Sequence, residues 1–128
     1  MEGTIDHIML NSNDYEKALK FYSWLMPKLG YTDRKEYGRT AGFMSPKNRI
    51  WLTESEGEFR SQAFDKRKVG MRELAFLGSR RAEVDEIARG VEKNGGRIIE
   101  KPYQNQRGDY QFFFMDPDGM KLEIIVRK

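Results

Sequence analysis

A chain of 128 residues is long enough for one domain with one hydrophobic core, and the absence of cysteine excludes disulfides and thiolate metal sites. The lack of cysteine also fits a reducing cytoplasm, where we expect the protein to act. Its 23 basic and 20 acidic residues are interspersed, which indicates a mixed solvated surface without a nucleic-acid footprint, and no apolar run approaches the roughly 20 residues that a membrane span needs.

The first half of the chain has the pattern of a strand, a helix and three more strands. Residues 4–10, TIDHIML, form a short strand-like run, and the N-terminus lacks the basic and long apolar segments of a signal peptide. Asn13 or Asp14 can cap a helix over residues 15–30, whose apolar side chains recur at helical spacing until Gly30. Three short strands follow in the stretches YTDRKEYG, TAGFMS and RIWLTES.

The second half repeats this order after a polar segment, residues 55–69. A strand is predicted over residues 71–78, MRELAFLG, and Ser79 is predicted to cap the following helix. Three more strands are predicted in the stretches RIIEKP, DYQFFFMD and MKLEIIVR. The chain therefore reads βαβββ twice. This predicts an α+β fold in one domain, with module one at about residues 1–57, a linker at 58–69 and module two at about 70–128.

Side-chain alternation along the strands predicts which residues point away from the helices. In each of four strands, apolar residues at every second position would face the helix, as Leu122 and Ile124 do in the closing stretch DPDGMKLEIIV. The residues between them then lie on the opposite faces of the sheets. On those faces the alternation places four residues of chemical interest, His7, Trp51, Glu73 and Glu123.

The double βαβββ order resembles the vicinal oxygen chelate superfamily, which includes glyoxalase I, bleomycin-resistance proteins, extradiol dioxygenases and fosfomycin-resistance enzymes. Three stretches match the family, and together they span nearly the whole chain. The first starts at IDHIML, the second starts at RELAF, and the third is FFFMDPDGMKLEII. The DPDG-x-K-L-E ending is the most specific element. The resemblance implies two modules that form open curved sheets around a cleft. It also implies a divalent metal held by the first and fourth strand of each module, and a homodimer, because members often pair across their modules.

The family's metal positions correspond here to His7, Trp51, Glu73 and Glu123. An indole cannot ligate a metal, and Glu73 stands where the family usually has histidine. The resemblance therefore implies a set of one imidazole and two carboxylates, which suits Zn, Ni, Mn, Fe(II) or Mg and leaves positions open for water or substrate. Either carboxylate could also shuttle a proton, and is then catalytic.

The lining of the substrate cleft depends on strand register. We expect Trp51, Tyr110 and Phe112 to line it, whereas the other register would place Phe113 and Met115 there. Each site residue also has a structural alternative: a surface ion pair for Glu73, a solvated strand position for Glu123, and packing for Trp51 and the other aromatic residues.

Three classes of function can be compared with this sequence. The first is a metal-dependent enzyme that stabilises an oxyanion or enolate on a small oxygen-bearing substrate by Lewis-acid catalysis. The second is a metal-free binding protein of the bleomycin-resistance type, which sequesters a flat small molecule between aromatic walls. The third, RNA binding, is disfavoured because the stretch RGDYQFFF lacks the stacking aromatic residues of an RNA-recognition motif where they are needed.

Overall fold

The computed structural model describes residues 1–128 as two compact units, residues 1–62 and 63–128. Each unit contains one α-helix and one four-stranded sheet in the chain order βαβββ, which confirms the predicted α+β fold. The division after Gln62 falls inside the segment predicted as a linker. None of the helices combines the length and apolarity required to cross a membrane.

The first unit is built on a mixed sheet with one parallel pair. Its elements are strand β1 (His7–Ser12), helix α1 (Tyr15–Lys28) and strands β2 (Asp33–Glu36), β3 (Thr40–Met44) and β4 (Arg49–Glu54). The strand order is β1-β4-β3-β2, in which β1 and β4 are parallel and the other neighbours antiparallel. A 3₁₀ turn at Gly57–Ser61 follows β4.

Helix α1 begins at the predicted residue, Tyr15, and ends at Lys28, two residues before the predicted stop at Gly30. The Asp14 side chain accepts a hydrogen bond from the backbone N–H of Lys17 at 3.2 Å, which satisfies one free donor of the first turn. Gly30 has a φ of 88°, a left-handed conformation that glycine adopts readily. The helix buries one apolar stripe: Tyr15, Ala18, Phe21, Tyr22, Leu25 and Met26. This stripe leaves the opposite face of the unit's sheet free of its helix.

The second unit repeats the arrangement. Its elements are strand β5 (Leu74–Leu77), helix α2 (Arg81–Gly90) and strands β6 (Arg97–Gln104), β7 (Tyr110–Met115) and β8 (Lys121–Val126). The strand order is β5-β8-β7-β6, with β5 and β8 parallel. Strand β8 is therefore central, and both of its faces carry buried side chains.

The start of α2 differs from the prediction. Arg80, not Ser79, occupies the cap position, and no side chain caps the helix. The hydroxyl of Ser79 instead donates to the carboxylate of Glu83 at 2.8 Å. Because Ser79 lies one residue before the cap, its hydroxyl meets a side chain of the first turn and no backbone N–H.

The core of the second unit lies between α2 and one face of its sheet. Phe112 pairs across strands with Ile124, which pairs in turn with Phe76 on β5. Phe112 is fully buried and stacks on Phe114 with ring centroids 4.6 Å apart. Val84 of α2 approaches the same region, since a side chain at Gly78 would contact both Ile124 and Val84.

Replacing Phe112 with alanine should cost about 3 to 5 kcal/mol in the free energy of unfolding, because the cavity would be enclosed by α2 and the sheet. Urea unfolding followed by far-UV circular dichroism measures this loss. The control is Phe59→Ala, at a side chain that is 55% exposed, which should change stability by no more than about 0.5 kcal/mol. A cost for Phe112→Ala no larger than that of the control would contradict this description of the core.

Candidate functional site

The face of the first sheet that points away from α1 carries His7 and Trp51. Strand register pairs His7 with Arg49 and Met9 with Trp51, so these residues alternate with the buried Leu10 and the other core residues of β1 and β4. We call this surface the open face of the first sheet. It combines one imidazole with a large aromatic ring, as alternation along the two strands predicts.

His7 is oriented by a hydrogen-bonded chain. Its Nδ1 lies 2.7 Å from an oxygen of Asp6, whose other oxygen accepts a bond from Arg49, also at 2.7 Å. Hydrogen bonding from His7 and the charge of Arg49 lower the pKa of Asp6, so this carboxylate is ionised and only accepts. Nδ1 therefore carries the hydrogen, and the lone pair of Nε2 is free to bind a metal or a proton donor.

Trp51 lies flat across the sheet over Gly42. A Cβ atom at position 42 would lie only 2.6 Å from Cζ3 of the indole, so the ring can occupy this position only over glycine. Tyr37 stacks on Trp51 with centroids 6.1 Å apart and planes inclined by 27°. The two rings form an aromatic platform, defined by Tyr37 and Trp51, and Trp51 stands at one of the positions where the sequence resemblance implies a metal ligand.

The Gly42→Ala substitution should lift the indole of Trp51 off the sheet. We expect a loss of about 1 kcal/mol from the disturbed Tyr37 stack, together with altered near-UV circular dichroism. In a Trp51→Ala background the same Gly42→Ala change should cost nothing, because the clash is gone. An unchanged near-UV spectrum in Gly42→Ala would show that the ring does not lie over position 42.

The open face of the second sheet carries two carboxylates and a lysine. Glu123 and Lys121 alternate with Leu122 on β8, and Glu73 directly precedes β5. The Lys121 ammonium lies 2.9 Å from a Glu73 oxygen and 4.4 Å from the ring centroid of Phe113. Glu73 thus forms a surface ion pair, which is the structural alternative to metal binding for this residue. Its partner is a lysine of the adjacent strand.

Glu123 differs from Glu73 because it has no protein partner. Its residue is only 9% exposed, yet its carboxylate forms no hydrogen bond and no ion pair. Burial, and then the negative charge of Glu73, raise the pKa of Glu123. The positive charges of Arg127, Lys121 and Arg107 act against this rise. A largely buried carboxylate in this state is suited to receive a cation or a proton.

The raised pKa makes the stability contribution of Glu123 depend on pH. The folded protein holds the Glu123 proton more tightly than the unfolded chain, so ionisation destabilises the fold as pH rises above the usual value near 4.5. The isosteric variant Glu123→Gln should therefore have a higher Tm than the parent at pH 7 in EDTA, and this gain should vanish at about pH 4.

Calorimetry across this pH range measures the difference in Tm between the variant and the parent. Glu58→Gln, at an exposed carboxylate in the 3₁₀ turn, should show no comparable gain at pH 7. The opposite result is a Tm that Glu123→Gln lowers by the same amount at pH 7 and at pH 4. That result would contradict the burial of an unpartnered carboxylate.

The predicted lining residues Phe112 and Tyr110 lie on the wrong face. Phe112 is in the core on the α2 side, and the Tyr110 hydroxyl donates to Asp85 of α2 at 2.6 Å. The structure instead has the other register, in which Phe113 pairs directly with Glu123 and Met115 pairs with Lys121. Phe113 and Met115 therefore lie on the open face, in the alternative register that the sequence left open.

Sequence reasoning also missed several supporting residues. Asp6 directly precedes His7, and this adjacency was a usable signal for a carboxylate that orients the imidazole. Gly42 inside strand β3 was another, because an interior glycine often marks a close approach by another group. Tyr37 and the pairing of Lys121 with Glu73 depend on contacts that the local pattern does not specify.

The predicted metal set draws on both units, His7 from the first and Glu73 and Glu123 from the second. Within either unit alone, no three histidine, aspartate or glutamate side chains are grouped to hold a metal ion. The chemistry of the donors suits a divalent cation at His7 and Glu123, whereas Glu73 would have to exchange its Lys121 partner for the ion. The set therefore stays a prediction.

Comparison with known families agrees with the fold. Residues 4–124 match the family model of the Glyoxalase/Bleomycin resistance protein/Dioxygenase superfamily. The chain belongs to this superfamily, which confirms the resemblance drawn from its sequence.

Individual relatives cover nearly the whole chain. The Bacillus subtilis protein YqjT, which is uncharacterized, is 29% identical over 126 residues, 94% of this chain and 96% of its own length. A probable lactoylglutathione lyase from Vibrio parahaemolyticus is 27% identical over 132 residues, 98% of this chain and 92% of its own length.

Solved structures show the same architecture. A "putative glyoxalase" from Bacillus halodurans superposes with a TM-score of 0.87 at 26% identity, covering 98% of this chain and 96% of that one. A glyoxalase/bleomycin resistance protein from Albidiferax ferrireducens has a TM-score of 0.76 at 23% identity, covering 95% and 98%. The second of these likenesses concerns the fold alone.

Proposed function

We propose that this protein is a divalent-metal-dependent enzyme of the superfamily that acts on a small oxygen-bearing substrate. In this proposal His7, Glu73 and Glu123 hold the metal. The observation that carries it is the state of Glu123, a largely buried carboxylate with a raised pKa and no protein partner. Such a group destabilises a fold at neutral pH unless a cation or a proton satisfies it.

The other two residues support the same assignment. His7 has its Nδ1 bound to Asp6, so its Nε2 is the free nitrogen, an arrangement common among metal-ligating histidines. Glu73 is close enough to influence the charge of Glu123, and both are hard oxygen donors. When bound, a divalent metal would act as a Lewis acid toward the oxygen atoms of the substrate.

The chain's own side chains would supply proton transfer and orientation. If Glu73 or Glu123 leaves the metal, that carboxylate is placed to move a proton, and the raised pKa of Glu123 favours proton uptake there. Lys121, which contacts Glu73 at 2.9 Å, would hold that carboxylate in position. The aromatic platform of Tyr37 and Trp51 would contact a flat part of the substrate.

Metal binding should stabilise the folded protein. Metal analysis after purification without chelator should find a divalent ion, and thermal shifts with Mn, Ni, Zn, Fe(II) and Mg should show a gain of about 2.7 kcal/mol at a hundredfold excess over Kd. His7→Gln and Glu123→Gln should each abolish most of the shift, while Glu58→Gln should retain it. No bound metal and no shift with any ion would refute the proposal, as would full shifts in both variants.

A second function has its own support. The aromatic platform over Gly42 suits a metal-free protein that sequesters a flat small molecule. This alternative requires ligand binding that survives EDTA and the Glu123→Gln change but is lost in Trp51→Ala. The metal-dependent enzyme instead requires that catalytic activity is lost in EDTA and in Glu123→Gln.

A further inference from the structure

A groove of about 570 Å³ lies within the second unit, beside the open face of its sheet. One side consists of residues 63–68, and the other includes Ile99 of β6, Met115 of β7 and Lys121 of β8. The volume suits a small organic molecule. Residues 65–68, the DKRK run of the polar linker segment, line the groove. The proposed function assigns no role to this run.

The wall of the groove is an ordered turn. The backbone N–H of Phe64 donates to the carbonyl of Asp118 at 3.4 Å, and that of Lys68 donates to the carbonyl of Asp65 at 3.1 Å. The Asp65 side chain also accepts from the backbone N–H of Arg67 at 3.0 Å. These bonds hold the backbone of the turn beside the sheet.

The charges of the groove are only partly neutralised. Arg67 binds Asp65 through two side-chain contacts of 3.0 Å, which lower the pKa of Asp65 to about 2, and Lys121 is paired with Glu73. The ammonium groups of Lys66 and Lys68 form no ion pair in the structure. Two lysines without an ion-pair partner therefore remain on the groove's wall, although the charge of Lys68 also helps to lower the pKa of Asp65.

Apolar surface lies beside these charges. Ile99 is 47% exposed, and Met115 and Phe64 are partly exposed next to it. Exposed apolar surface beside ammonium groups that form no ion pair matches an amphiphilic molecule with an anionic end. Lys121 connects this groove to the carboxylates, because it both lines the groove and contacts Glu73.

We propose that the groove binds a small molecule with an apolar body and a carboxylate or phosphate group. The apolar body packs on Ile99, Met115 and Phe64, and the anion pairs with Lys66 and Lys68. The identification of this molecule as the substrate, with its reacting oxygen atoms directed toward Glu123, rests on the proposed function. The binding site itself does not.

Three ligands with one shared body test the proposal: 1-naphthoate, 1-naphthyl phosphate and the neutral 1-naphthalenemethanol. Calorimetry in EDTA at low salt should show the anions binding about tenfold more tightly than the alcohol. The Lys66→Gln/Lys68→Gln variant should reduce this preference to about twofold, and Ile99→Ser should weaken all three ligands alike. The matched control, Lys20→Gln/Lys47→Gln in the first unit, should keep the parent's preference.

Tighter binding of naphthoate would identify a carboxylate ligand, and tighter binding of the phosphate a phosphorylated one. The proposal is overturned by equal binding of anions and alcohol to the parent, by no binding of any ligand, or by an anion preference that survives Lys66→Gln/Lys68→Gln. Because binding is measured in EDTA, an anion preference without any metal-dependent thermal shift would refute the proposed enzyme while the anion site stands.

Discussion

In each unit the first and last strands are adjacent and parallel, and one helix covers a single face of the sheet. These two features determine where every candidate site residue lies. In the second unit this pairing sets Leu122 and Ile124 against the core, so Glu123 must point to the opposite face. A shift of one residue would bury Glu123 among the core residues under α2 and expose Ile124. The position of the carboxylate is therefore a consequence of core packing, and the same relation holds for His7 and Trp51 in the first unit.

Strands with apolar residues at alternate positions could be interpreted from the sequence alone. Trp51 and Glu123 each lie between two apolar neighbours, and His7 is followed by apolar residues at alternate positions, so period two predicted the face on which each lies. Strand β7 could not be interpreted in this way, because the stretch YQFFFM presents aromatic residues to both faces. Its register depends on long-range contacts, such as that between Tyr110 and Asp85, 25 residues apart in the chain.

Glu73 marks another limit of local pattern. It lies one residue before β5, so alternation within the strand does not by itself determine its direction. The ion pair with Lys121 determines it and brings Glu73 to the side of the sheet that carries Glu123. Similarly, the orientation of the Trp51 ring depends on the missing side chain of Gly42 on the neighbouring strand. Contacts between neighbouring strands thus determine side-chain orientations that alternation along a single strand does not.

The open faces hold groups that a purely structural protein has little reason to retain. The largely buried and unpartnered carboxylate of Glu123 disfavours folding at neutral pH. The indole of Trp51 requires glycine at position 42, so the residue types at both positions are restricted. Both features are consistent with a surface shaped for a molecule outside the chain. The Asp6–His7 pair and the groove beside Lys121 extend that interpretation to an orienting carboxylate and to an anionic ligand.

The central claim concerns the charge state of Glu123, and carbon-13 NMR of its side-chain carboxyl measures that state directly. In metal-free protein the account predicts titration above the usual value near 4.5, and loss of this titration when the stabilising divalent ion is added. Titration at or below that value, with no response to any of the five metals, would contradict the account.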